Sequence, residues 1–148
     1  PPSYDTDDLL QSSPMNIYGI YPLGLNEWEK SFAQWLDKNP VGNVLWWHRN
    51  EPRKGYSVNV LTSDGHGFYP DFVIGIDGRR TEDHALLVDP KYDFRSDPLK
   101  VLAVHEIYGK VLILYKEHDS EWKAVTWNEQ RQIPVAERDF RLSDAAGW

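Results

Sequence analysis

Two stretches of the chain decide its fold, YPDFVIGI (residues 69–76) and LLVDPK (residues 86–91). Both are aliphatic runs of the length of a β-strand. Side chains alternate between the faces of a strand, so Asp71 points away from Phe72 and shares a face with Val73. By the same alternation Leu87, Asp89 and Lys91 share one face. The pattern predicts an acid at the end of each of two strands, with a lysine beside the second.

Each feature also has a simpler interpretation. An aspartate beside a proline at a strand end is common near turns, and Asp89 with Lys91 is also the pattern of an exposed ion pair, which contributes little to stability. Taken together, the three residues fit one chemistry, the hydrolysis of a phosphodiester. That reaction needs an activated water and neutralisation of phosphate charge, and Mg²⁺ held by carboxylates supplies both. A nearby lysine orients the water or stabilises the developing charge.

Length and composition limit the class of protein. The 148 residues, 41% of them hydrophobic, suit one globular domain with a real core. The absence of cysteine excludes a disulfide scaffold and a cysteine-based zinc site. No apolar run approaches the ~20 residues of a membrane span, and the N-terminus lacks the order of a signal peptide. We therefore expect a cytoplasmic protein with no membrane partner.

The first residues have a different character. Residues 1–24 are rich in Pro, Ser, Asp and Gly, which indicates a leader or linker whose aromatic end (Tyr18, Ile20 and Tyr21) docks on the domain formed by residues 25–148. The chain starts with Pro1 and its only methionine is Met15. We interpret it as a fragment of a larger polypeptide or a processed one.

Periodicity predicts an α/β fold with a mixed sheet. A first helix is expected at residues 26–38, where Trp28 and Trp35 lie on the buried stripe, and a second from Pro98 to about residue 108, with Asp97 as its N-cap. The last twenty residues carry little pattern. Strands are expected at residues 44–49, 56–62, 68–76, 85–89, 111–115 and 121–127, with hairpin turns at 63–65 and 118–120.

A third carboxylate is available on the first helix. Helical spacing places Glu29 at the border of the apolar stripe, from which it can reach inward, whereas Glu27 faces solvent. The alternative role of Glu29 is a capping box with Asn26, because the two residues have the required spacing. Both roles remain open from the residues alone.

The surrounding blocks carry a family resemblance. NEWEKSFAQWLD (residues 26–37), WWHRN (residues 46–50) and the two stretches around Asp71 and Asp89 occur in the order of the PD-(D/E)xK nuclease signature. The chain resembles the C-terminal endonuclease domain of type III restriction enzymes and related DEAD-box-like helicases over roughly residues 18–115. The bare D…DxK string is a weak motif, and the ordered upstream blocks make it more specific.

The resemblance implies a restriction-endonuclease-like mixed central sheet flanked by helices, with Mg²⁺, or Mn²⁺ in its place, and cleavage of DNA. Asp71, Asp89 and the backbone carbonyl of Pro90 would bind the metal, Glu29 would contact it through water, and Lys91 would be the catalytic lysine. It also implies a helicase/ATPase in the parent polypeptide, a prokaryotic or phage setting, and a role in restriction or phage defence. Cutting both strands ordinarily needs two such sites, which favours a dimer of the parent.

The sequence departs from the family pattern at two positions. Pro90 stands between Asp89 and Lys91 and removes a backbone N–H, and Tyr92 follows the lysine where glycine is frequent in the family. These departures keep a second hypothesis open, a catalytically inactive domain of the same fold that serves as a nucleic-acid or protein interaction module. A third hypothesis, an unrelated acidic binding domain, is disfavoured by the ordered blocks.

One local patch is basic in a chain whose net charge is −7. His48, Arg49 and Asn50 end a strand, and Arg53 and Lys54 follow, which indicates contact with a nucleic-acid backbone. The alternative is a solvated turn in which His48 or Asn50 satisfies buried backbone groups. His105, on the second predicted helix, is a weaker candidate for assisting the metal site, since a lone helical histidine is more often structural.

Overall fold

The computed structural model describes residues 12–117 and 121–148. The regular elements in chain order are α1 (Glu27–Lys38), β1 (Val44–Arg49), β2 (Val60–Leu61), β3 (Gly67–Phe68), β4 (Phe72–Ile76), β5 (Ala85–Pro90), β6 (Val104–His105), β7 (Gly109–Lys110), β8 (Leu112–Tyr115), β9 (Lys123–Asn128) and β10 (Ile133–Asp139). Short 3₁₀ turns occupy Glu82–His84, Phe94–Ser96, Pro98–Leu102 and Leu142–Gly147.

The centre of the fold is a six-stranded sheet in the order β1-β4-β5-β8-β9-β10. Neighbouring strands are antiparallel except β5 and β8, which run parallel. The chain reaches β8 from β5 through the 3₁₀ turns and the small β6–β7 hairpin, because a parallel pair needs a crossover. The predicted mixed sheet and α/β class are confirmed.

The first helix forms where the sequence predicts it. The side chain of Asn26 accepts a hydrogen bond from the backbone N–H of Glu29 at 2.8 Å, and Asn39 ends the helix in the left-handed conformation with φ 45°. Its apolar stripe buries Phe32, Ala33 and Leu36. No helix in the described part of the chain is long and apolar enough to cross a bilayer.

Both faces of the sheet are covered. Helix α1 and the C-terminal turn Leu142–Gly147 pack on one face, which includes Trp47, Phe72 and Val88. The 3₁₀ turns after β5 and the β2–β3 hairpin pack on the other. Trp46 and Trp47 fall on opposite faces, as strand alternation predicts, and Trp28 and Trp35 pack against the α1 side.

The strand predicted at residues 68–76 is divided in two. β3 ends at Phe68 and β4 begins at Phe72, with Pro70 between them. Proline has no backbone N–H to donate to a ladder, so it interrupts the pairing. The strand predicted at residues 56–62 shortens to β2, which forms the expected hairpin with β3 through the pair Val60↔Phe68.

The second predicted helix is wrong. Pro98–Leu102 forms a 3₁₀ turn, and the chain then folds into the β6–β7 hairpin. The Asp97 side chain makes no capping hydrogen bond, and Nδ1 of His105 accepts the N–H groups of Ile107 and Tyr108, which competes with helical bonding. His105 therefore lies on a hairpin and not on a helix.

The ends of the described chain join the sheet. Residues 12–24 run alongside β1, where Trp47 donates its backbone N–H to Met15 O at 2.9 Å. Tyr21 lies 6.1 Å from Trp47 between ring centroids. Strand β9 pairs with β8 as predicted, but β10 and the turn after it were not expected. The predicted turn at 118–120 and residues 1–11 of the leader lie outside the described residues.

The close approach of Trp46 to Gly75 gives a first prediction. A Cβ added at Gly75 would lie 2.4 Å from Cε2 and Nε1 of the indole, so Gly75→Ala must displace the ring or the strand. We expect a loss of about 1–3 kcal/mol in unfolding free energy, measured by urea denaturation. Gly55→Ala is the matched control, because a Cβ there meets nothing within 4 Å. Equal midpoints for the two variants would contradict the packing.

Candidate active site

The register between β4 and β5 brings the two aspartates together. Phe72 lies opposite Val88, so the next step toward the end of the ladder places Asp71 opposite Asp89. The backbone N–H of Asp71 donates to Oδ1 of Asp89 at 3.3 Å. Asp89 is 5% exposed, and the side chain of Asp71 is 24% exposed. The predicted pair therefore forms a compact, largely buried acidic site.

Burial of two neighbouring carboxyl groups changes their protonation. Desolvation, and next the charge and hydrogen bond of Asp89, raise the pKa of Asp71 to about 8, while Arg49 and Lys91 act in the opposite direction. At neutral pH the Asp71 carboxyl is therefore mostly protonated in the metal-free protein. For both carboxyl groups to be ionised at neutral pH, a positive charge in addition to those of Arg49 and Lys91 must lie beside them.

Arg49 connects this pair to the helix. Its Nη1 lies 3.2 Å from Oδ1 of Asp71 and donates to the Asp71 carbonyl at 2.9 Å, and its Nη2 lies 3.2 Å from Oε2 of Glu29. The guanidinium thus fixes both the backbone and the side chain of Asp71. Arg49 belongs to the acidic site itself and not only to a surface patch.

Glu29 has both of the roles that the sequence leaves open. Its Oε1 accepts the backbone N–H of Asn26 at 3.1 Å, which completes the capping box, and its Oε2 pairs with Arg49. Burial, and next the charge of Asp71, raise the pKa of Glu29. Because both oxygens have protein partners, the structure places Glu29 behind Arg49, as a residue that positions the site.

Two lysines face the acids, one of them unexpected. Lys91 follows β5, and its backbone N–H donates to Leu114 O at 2.8 Å, so the ladder continues past Pro90. Lys100 lies on the 3₁₀ turn after β5, with Nζ 3.6 Å from Asp97 and 4.8 Å from the Phe68 ring centroid. Burial, and next the charge of Lys91, lower the pKa of Lys100, whereas Asp89 raises it. Lys100 was missed because the predicted helix gave no reason to place it here.

The oxygen atoms at this site meet part of the coordination requirement of a hard divalent cation. Asp71 and Asp89 offer carboxylate oxygens side by side, and burial together with the charge of Asp89 raises the pKa of Asp71, an effect that a bound cation would oppose. Within the described residues there is no cluster of three or more His, Asp or Glu side chains with metal-binding geometry. A bound Mg²⁺ would therefore rely on these two acids, the Pro90 carbonyl and water, which matches its habit of retaining several waters.

The predicted nucleic-acid residues separate into distinct environments. Asn50 is fully buried, its amide N–H groups donate to Val58 O and Pro70 O, and its Oδ1 accepts Val58 N–H. Its side chain has no donor left for a phosphate, so the assignment of Asn50 as a nucleic-acid contact is wrong, and the alternative that Asn50 satisfies buried backbone groups is the one observed. Arg53 and Lys54 are exposed on the loop that Asn50 holds.

His48 is a poor source of positive charge. Its ring stacks on Trp46 with centroids 5.9 Å apart, and burial lowers its pKa. It is therefore neutral near pH 7, which limits any contact with a nucleic acid to hydrogen bonding or packing. Of the predicted patch, Arg53 and Lys54 retain exposed cationic groups, and Arg49 is engaged with the acids.

No protein-family model, curated protein or solved structure matches this chain.

The raised pKa of Asp71 predicts how stability depends on pH. The folded state holds this proton up to about pH 8, whereas an unfolded aspartate loses it near pH 4, so the metal-free fold loses stability as pH rises between these values. Asp71→Asn should flatten that slope and raise the Tm at pH 8.5 by several degrees, at roughly 3 °C per kcal/mol for this size. Thermal unfolding followed by circular dichroism in EDTA measures both.

Asp83→Asn, on an exposed turn, is the control for loss of one acid. It should leave the slope of the wild type unchanged. Parallel Tm-against-pH curves for the wild type and Asp71→Asn would show that Asp71 is an ordinary carboxylate.

Proposed function

We propose that this chain is a Mg²⁺-dependent nuclease domain of the PD-(D/E)xK type that hydrolyses DNA phosphodiester bonds. The observation that carries the proposal is the side-by-side placement of Asp71 and Asp89 at the ends of two paired strands, with Lys91 two residues beyond. The helix, mixed sheet and crossover that surround the pair are compatible with the restriction-endonuclease-like fold implied by the resemblance.

Each side chain then has a definite task. Asp71, Asp89 and the Pro90 carbonyl would hold the ion, which when bound lowers the pKa of a coordinated water and neutralises phosphate charge. Lys91 brings a cation to the scissile phosphate and orients the attacking water. Arg49 holds the carboxylate of Asp71 in place, and Glu29 holds Arg49. Lys100 adds a second cation beside Lys91.

The two departures from the family pattern leave these groups intact. Pro90 is buried within β5 and aligned with Leu114, so the strand carries Lys91 forward without interruption. The Tyr92 ring packs edge-on against Trp28 of α1 at 5.7 Å between centroids. Neither departure therefore removes a group that the proposed chemistry needs.

A wider setting follows from the same resemblance. With a net charge of −7 the domain has no bulk electrostatic attraction to DNA, so a helicase/ATPase in the parent polypeptide would supply most of the affinity. Restriction or phage defence in a prokaryotic or phage cytoplasm is the matching context. A dimer of the parent would supply the second site that double-strand cutting requires.

One observation favours the alternative of an inactive nuclease-fold module. Nη1 of Arg49 lies 3.2 Å from Oδ1 of Asp71 and competes with a metal ion for that carboxyl group. If that ion pair persists in the presence of Mg²⁺, the domain holds its fold without chemistry and serves in binding nucleic acid or protein.

A DNA cleavage assay distinguishes the active nuclease from the inactive nuclease-fold module. Plasmid and labelled oligonucleotide DNA are incubated with the domain and Mg²⁺ or Mn²⁺, and products are resolved on gels. We expect Asp71→Asn and Lys91→Ala each to lower the cleavage rate by about 10²-fold or more, because each removes a group aimed at the reacting phosphate. Both variants are checked for folding by circular dichroism.

The matched controls are Asp83→Asn and Lys110→Gln, which change the same charges at exposed positions away from the acids. They should cut at the wild-type rate. Cleavage that survives both Asp71→Asn and Lys91→Ala would refute the site, and a wild type that binds metal without cutting any DNA would favour the inactive module.

A further inference from the structure

A groove runs along one side of α1 from the end of β5. Its first hollow encloses about 510 Å³ and is lined by Trp28, Tyr92, Tyr115 and Lys116, among others. A second hollow of about 680 Å³ continues toward Arg141. The two hollows share Ser31 and Lys116, whose side chains are joined by a hydrogen bond of 2.7 Å. They form one path along α1, with Tyr92 at one end and Arg141 at the other.

The first hollow has an aromatic wall. The Trp28 ring stacks on Tyr115 with centroids 5.8 Å apart and meets Tyr92 edge-on at 5.7 Å. Tyr92 remains 71% exposed, which is unusual for a ring of this size so near a buried polar cluster. Its exposed face is a flat surface on which another planar ring can stack.

The charges of the groove change along its length. The first hollow is lined by Glu27 and Glu117 as well as Lys116, so it is a poor place for a phosphate and a suitable one for an uncharged ring. The second hollow carries Lys38, Lys116 and Arg141 against a single acid, Glu121. This local excess of positive charge occurs in a chain whose overall charge is −7.

We propose that this groove binds a single-stranded segment of DNA, with a base stacked on Tyr92 and the backbone passing Lys116 toward Arg141. Base stacking on aromatic rings is the common mode of single-strand binding, and a duplex keeps its base faces hidden. Tyr92 follows Lys91 directly in the turn after β5, at the end of the strand that carries Asp89. The inference rests on the proposed nuclease function in naming the substrate, and it selects unpaired DNA.

The groove is tested directly by measuring DNA binding in EDTA, where no cleavage takes place. Fluorescence anisotropy of a labelled 12-nucleotide deoxyoligonucleotide is measured in EDTA, beside its duplex and an oligoribonucleotide of the same sequence. We expect the single-stranded DNA to bind tightest. Tyr92→Ala should weaken its binding by about 5-fold or more, since stacking contributes roughly 1–3 kcal/mol per base, whereas Tyr92→Phe retains the ring and the affinity.

A second pair of variants tests the contact between the groove and the DNA backbone. Arg141→Gln should weaken binding and reduce its dependence on salt, whereas Lys110→Gln changes the same charge outside the groove and should do neither. Binding that is indifferent to both Tyr92→Ala and Arg141→Gln would overturn the proposal. A preference for the duplex or for the RNA strand would overturn it as well.

The same measurements separate this inference from the function on which it rests. Single-strand binding that depends on Tyr92, in a protein that never cuts with Mg²⁺, would retain the groove and refute the nuclease. Cleavage of DNA by a protein that binds single strands no better than duplex would retain the nuclease and refute the groove.

Discussion

Two carboxyl groups held against each other in a largely buried position are the constraint on which the rest of the structure depends. The antiparallel register of β4 and β5 places the two carboxyl groups side by side. Phe72 pairs with Val88, so Asp71 lies opposite Asp89 at the end of the ladder. A pair of like charges in low dielectric is unfavourable unless it is protonated or balanced by cations. The surrounding cations provide part of that balance, and the proton held by Asp71 provides the rest.

The balance comes from three elements of the fold. Arg49 at the end of β1 holds Asp71, Lys91 follows directly from β5, and Lys100 approaches from the 3₁₀ turn of the crossover. Glu29 then links Arg49 to the first turn of α1 and at the same time caps that turn. The start of the helix and the geometry of the acids are therefore coupled, and a change at the cap would be transmitted to Asp71 through Arg49.

The sequence predicted those parts that depend on local pattern. The bounds of β1 and the first helix with its cap at Asn26 follow from periodicity and capping chemistry, and the structure has them. The second helix failed because propensity signals at Asp97 and Pro98 were outweighed by the hairpin bonds of His105. The position of Lys100 and the strand β10 depend on contacts between distant residues, which no local pattern encodes.

The ion that this acidic pair is proposed to bind would have to displace a proton. With its pKa raised to about 8, Asp71 is mostly protonated at pH 7 in the metal-free protein, and binding of Mg²⁺ or Mn²⁺ requires the carboxylate. Isothermal titration calorimetry of Mn²⁺ in buffers of different ionisation enthalpy counts the protons released. The expected count is close to one proton per ion at pH 7 and near zero at pH 9.5, because the acid is then already ionised. Binding that releases no proton at pH 7, or no binding at all, would contradict the account.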